Sequence, residues 1–159
     1  MIELILGVYA ETLKDAEELT ADIDDARFAE QPAGIRNHPA WTLGHLVVSG
    51  NFILILLDEK PIAVPENYGK LFPPGTQPTS DRATYPSKQT LLSHLKQVHT
   101  AAVDAVRRKH ASYFDRPSPE NLRSFAPTLG KIIVYLLAAH ENNHLGQLIA
   151  WRRAAGIKK

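Results

Sequence analysis

The chain has 159 residues, with 18 basic and 17 acidic side chains, seven histidines and no cysteine. A single domain is the simplest organisation at this length, and an apolar share of 44% is too high for a disordered chain. Lack of cysteine excludes a disulfide framework, a thiolate zinc site, an iron–sulfur cluster and a cysteine nucleophile, so any metal must be held by nitrogen and oxygen.

Apolar residues Ile2, Ile5, Tyr9, Leu13, Ala16 and Ile23 recur with helical spacing and predict a first helix over about residues 2–23. Its other face is acidic: residues 1–36 carry nine acids and three bases, a net of −6, against +7 for the remainder. A second helix starts at His38-Pro39, where proline's missing N–H does no harm. It runs to about Leu57, with Trp41, His45, Val48, Phe52 and Leu56 on one stripe. Residues 58–86 break the pattern with Pro61, Pro65, Pro73, Pro74, Pro78 and Pro86. A connection this long is usually functional or a genuine crossover, and it is expected to border a pocket and contribute specificity.

The third helix takes Ser87 as N-cap and reaches about His110, with Leu91, Leu95, Val98, Ala102 and Val106 as its apolar stripe. Ser118-Pro119-Glu120 resembles the start of a short helix. The last helix follows Pro127, takes Thr128 as N-cap and continues to about Ala155, before Gly156.

Four amphipathic helices without a convincing strand predict an all-α four-helix bundle. The short first connection sets helices 1 and 2 antiparallel. The long crossover lets helix 3 run parallel to helix 2, and helix 4 returns antiparallel to both. The basic groups Arg107-Arg108-Lys109 and Arg152-Arg153 with Lys158-Lys159 then sit at helix C-termini, where cations complement the macrodipole. They would lie at opposite ends of the bundle, which argues against a nucleic-acid partner. No apolar run reaches the ~20 residues of a membrane span, and Met1-Ile2-Glu3-Leu4 lacks the basic stretch of a signal peptide. A soluble, cytoplasmic protein with no membrane partner is expected.

The segment His140-Glu141-Asn142-Asn143-His144 carries the chemistry. Histidines four apart on a helix lie about 5–6 Å apart at Cβ and can chelate one ion. They share the buried stripe of Ile133, Leu137, Leu148 and Trp151, where two polar rings are costly unless something bonds both. A metal does so; for this pair alone, a hydrogen-bonded structural pair is an equal alternative. His45, on the buried stripe of helix 2 and at the same level in the proposed topology, favours the metal. Gly44 and Gly146, beside these histidines, would permit close helix approach. The segment also fits H-E-x-x-H, the helix motif of zinc metallopeptidases, with Glu141 as general base. Against that reading, no Asp, Glu or His follows His144 to act as a downstream third ligand, and no strand is present to align a peptide.

The whole chain resembles the DinB/YfiT-like superfamily of metal-dependent enzymes. The resemblance is carried by Pro39-Ala40-Trp41-Thr42-Leu43-Gly44-His45-Leu46 and by His140-Glu141-Asn142-Asn143-His144-Leu145-Gly146-Gln147-Leu148. It implies an up-down-down-up four-helix bundle and a divalent metal held by His45, His140 and His144. It also implies thiol-dependent transferases and isomerases that use low-molecular-weight thiols, or hydrolases, and a homodimer is common among similar bundles.

Three neutral imidazoles leave coordination positions open, the pattern of a catalytic site. A divalent ion there would lower the pKa of water toward ~7 and deprotonate a thiol. Zinc or nickel is the expected ion, although imidazole also suits copper and iron. The expected partner is a small-molecule substrate, with a low-molecular-weight thiol as cosubstrate because the chain has no thiol of its own. Gln147, one turn beyond His144, is a candidate for orienting a ligand or water, with capping or packing as the alternative. Glu141 is a candidate catalytic group, set against a solvated or ion-paired role. His99 reads as a core residue that could line the pocket, and His94 as solvated. His38 and His110 read as helix-end residues; Trp41, Phe52 and Trp151 read as packing. The rival reading is a non-catalytic bundle that binds metal or a small ligand; a peptidase comes third.

Overall fold

A computed structural model describes residues 2–157; Lys158 and Lys159 of the second basic group lie outside the described residues. The chain is all-helical, with no strand among those residues. The order is α1 (Ile2–Ala21), α2 (Pro39–Leu56), the short α3 (Tyr68–Leu71), α4 (Lys88–Arg108), α5 (Leu129–Val134) and α6 (Glu141–Ala154). A π-helical turn, Tyr135–His140, joins α5 to α6 and makes them one continuous helix. A 3-10 turn at Glu120–Leu122 follows the predicted Ser118-Pro119 start.

Helix α1 buries Leu6, Tyr9, Thr12, Ala16, Leu19 and Thr20 at three- and four-residue spacing, while Glu11, Asp15, Glu17 and Glu18 face solvent. It stops at Ala21, short of Ile23, which turns into the core. The expected single stripe on α2 is too narrow, because every residue from Pro39 to Val47 is buried. The segment 32–56 matches a membrane span in length and composition, yet 72% of its apolar window is buried inside the protein, so that apolarity serves the core. At Gly50 an added Cβ would stand 2.6 Å from Val98 Cγ2; glycine here lets α2 and α4 pack in close contact.

The caps fall where the sequence puts them. Ser87 Oγ accepts from the Thr90 N–H at 3.1 Å, and Thr128 Oγ1 accepts from the Lys131 N–H at 3.4 Å. The basic ends have acidic partners. Arg107 pairs with Glu3 at 2.8 Å, Arg108 and Lys109 with Glu59 at 3.0 Å, and Arg152 with Asp22. His110 does not end α4; it caps the following 3-10 turn, Ala111–Asp115.

His38 caps α2 from a fully buried position, its Nδ1 accepting the Trp41 N–H at 3.2 Å. Burial lowers its pKa to about 4, and the cap itself needs the Nδ1 lone pair. An unfolded histidine titrates near 6.5, so the unfolded chain takes up the proton first as pH falls. The stabilisation is complete above about pH 6.5 and is lost as pH falls toward 4, a difference on the order of 3 kcal/mol. His38→Asn keeps a capping side chain that does not titrate. The urea midpoint of this variant is expected to depend less steeply on pH between about 4 and 6.5; an unchanged slope would remove His38 as a source.

Candidate metal centre

The three predicted ligands converge. His45 from α2 meets His140 and His144, with ring centroids 5.1 and 4.6 Å away and 4.7 Å between the latter two. Their candidate ligand nitrogens all lie within 4.8 Å of one another. The Nε2 atoms of His45 and His140 are 3.2 Å apart, close to the ~3.3 Å edge of a tetrahedron with metal–nitrogen bonds of about 2.0–2.1 Å.

The π turn sets the phase of the last helix. An α-helix turns about 100° per residue, so residues four apart drift by roughly 40°. Over Ile132, Leu136, His140 and His144 that drift would carry the stripe off one face. The wider π turn advances less per residue and recovers part of the rotation, and all four residues line one cavity.

His45 is oriented from the 58–86 connection. Its Nδ1–H donates to the Phe72 carbonyl at 2.8 Å, which fixes the tautomer and leaves the Nε2 lone pair for a cation. Gly44 permits this contact: an added Cβ would collide with the Phe72 ring. The close approach expected at Gly44 is therefore to Phe72, not to the last helix. Gly146 has no neighbour within 4 Å of an added Cβ, so it mediates no close approach. Trp41 stacks on His45 with centroids 4.8 Å apart, and its indole N–H donates to Thr76 Oγ1 at 2.8 Å.

Burial holds the three histidines in their neutral, ligating form. Burial holds the pKa of His45 below the usual histidine range. Burial, then the neighbouring His45, takes His140 down to about 4. Burial, then His45 and His140, takes His144 to about 3. All three are neutral at pH 7 and present lone pairs. The buried Nδ1 atoms of His140 and His144 make no hydrogen bond within the protein; with Nε2 facing the ion, a water would relieve that polar deficit. The donor set fits a borderline divalent ion.

A cavity of about 790 Å³ opens beside the histidines, and Pro74 and Gly75 of the 58–86 connection contribute to its wall. Gln147 lines it, its Oε1 accepting from Asn37 Nδ2 at 2.9 Å. Trp41 and Phe52, expected only to pack, also line it, whereas Trp151 is a core residue.

Glu141 is placed elsewhere. It is 2% exposed and absent from the cavity lining. Its carboxylate accepts from His99 Nε2 at 3.1 Å and from the Thr12 hydroxyl, tying α6 to α4 and α1. His99 is a core histidine stacked on Tyr9 at 3.7 Å. His94 is not simply solvated: it is half-buried and its Nδ1 lies 2.9 Å from the Tyr68 hydroxyl.

Sequence reasoning missed Phe72, Thr76, Tyr135, Leu122 and Phe125. The one local hint was Gly44, a glycine beside a candidate ligand in an apolar helix. No curated protein sequence gives a significant match to the chain. Residues 9–148 match the family model of the DinB superfamily, and with that match over most of its length the chain belongs to the DinB superfamily.

Proposed function

We propose that the protein is a divalent-metal-dependent enzyme acting on a small molecule, with thiol transfer ahead of hydrolysis and zinc or nickel as the ion. The observation that carries this reading is the convergence of three neutral histidines on the wall of a ligand-sized cavity. When bound, the ion supplies an electrophilic centre that acidifies a nucleophile's proton.

The chain's own residues divide the remaining work. Phe72 holds His45 in the ligating tautomer. Trp41 covers the His45 ring and keeps water from it. Gln147, braced by Asn37, presents an amide to a substrate polar group. Glu141 acts as a positioning residue, fixing the rotation of α6 from inside the core. With no cysteine in the chain, a thiol nucleophile comes from a cosubstrate.

The finer topology, up-down-down-up with a long crossover, belongs to this proposal. The pairs Glu3–Arg107 and Asp22–Arg152 support it, because they set α1 against α4 head to tail and α1 beside α6 in the same direction. A non-catalytic binder is the second reading, favoured by one fact: no carboxylate is found among the described residues lining the cavity. The peptidase reading loses its general base to the core.

Purified protein assayed for metal, then for turnover of aryl and alkyl electrophiles with a panel of small thiols, separates these readings. Metal-dependent turnover that His144→Ala abolishes is expected. Stoichiometric metal without turnover of any thiol or ester pair would leave the binder in its place.

A further inference from the structure

The cavity has two chemically different ends. Along α2, Val48 and Phe52 follow His45 by three and seven residues, which places Phe52 about 10 Å farther along the helix axis. Along the last helix, Leu136 and Ile132 precede His140 by four and eight residues, about one and two turns away. Both runs line the same cavity, as do Leu122 and Phe125. Phe125 is 51% exposed and meets Tyr135 edge-on at 4.8 Å. The side-chain amides, Asn143 and Gln147, gather near the histidines. Among the described residues lining the cavity, none is Lys, Arg, Asp or Glu.

A charge laid against this half-open apolar wall loses part of its hydration with no opposite charge to meet it, since away from the histidines the described wall offers none. An aromatic or branched apolar group meets matching surface on Val48, Phe52, Ile132 and Leu136. We infer that the cavity takes an uncharged molecule with an aromatic or branched apolar body, about 10 Å long, carrying one donor group at the histidine end. The donor reaches the metal end and the body extends toward Phe52 and Phe125. The inference rests on the metal-centre reading for the donor end only; the body's chemistry follows from the wall.

The test uses full-length protein loaded with cobalt(II), whose absorption reports a ligand entering the site. Two thiols that differ by one carboxylate at the far end of the ring are titrated: benzyl mercaptan and 4-(mercaptomethyl)benzoic acid. Benzyl mercaptan is expected to bind at least about tenfold more tightly. Phe125→Ala, at a half-exposed wall position, is expected to weaken it about three- to tenfold while metal content stays unchanged. Equal or tighter binding of the carboxylate, or an unaffected Phe125→Ala variant, would overturn the inference.

Metal content measured on the same samples keeps the two readings apart. A chain that holds no cobalt fails the metal reading alone. Quenching of tryptophan fluorescence in metal-free Trp151→Phe protein, where Trp41 is the one remaining tryptophan, by 4-nitrobenzyl alcohol, against 4-nitrobenzoate, then decides the preference for an uncharged ligand. Stronger quenching by the alcohol supports it, and stronger or equal quenching by the anion overturns it.

Discussion

His45→Ala is expected to lower the affinity for zinc or nickel by well over the roughly 10–100-fold that loss of an outer partner costs. Competition against a chromophoric chelator measures it. The variant removes one of three converging nitrogens and leaves two histidines on a single helix, a chelate that many exposed helix faces could offer. Gly44→Ala should mimic part of the effect without touching a ligand. Its new methyl group would displace the Phe72 ring, pull the carbonyl from His45 Nδ1 and weaken affinity within that 10–100-fold band. Unchanged stoichiometry and affinity in His45→Ala would sink the three-histidine centre; an unaffected Gly44→Ala would sink the role of Phe72.

Glu141→Ala is expected to destabilise the fold strongly. It strips His99 Nε2 of its acceptor in a region where Glu141 and His99 are 2% and 3% exposed, while the Thr12 hydroxyl keeps the Tyr9 carbonyl at 2.8 Å. One buried donor left unsatisfied and the cavity left by the lost side chain together imply a cost of about 2–3 kcal/mol, read as a lowered urea midpoint. Glu141→Gln keeps an acceptor for His99 and should cost only about 1 kcal/mol. If Glu141 only positions its helix, the Gln variant keeps its metal and turns over within a few-fold of the parent. Loss of turnover in that variant, with fold and metal intact, would return Glu141 to the chemistry.

The helix starts were legible because they are local. Ser87, Thr128 and His38-Pro39 are capping chemistry written within a few residues. His45, His140 and His144 were legible for a related reason, since helical spacing puts them on buried faces and the flanking segments carry the family resemblance. The phase of the last helix was not. A π turn has no strong sequence mark, and without it Tyr135 and Ile132 fall off the cavity face. Glu141 sits about 100° around from His140, and on a helix buried along two faces the spacing alone does not say which interior it enters. Phe72 was illegible because its meaning is entirely non-local: an aromatic residue in a proline-rich link becomes informative only when Gly44 is brought against it. Gly146 was misread for the same reason, as a glycine beside a ligand with nothing packed on it.

The crossover's grip on His45 would make it a thermodynamic partner of an ion bound at the centre. The Phe72 carbonyl and the Thr76 hydroxyl hold the α2 side of the centre in place. By linkage, whatever factor docking of the crossover adds to metal affinity, metal binding returns to the docking equilibrium. A bound ion would therefore guard residues 58–86 against proteolytic nicking, and a nick that undocked Phe72 would weaken metal affinity with all three histidines still intact.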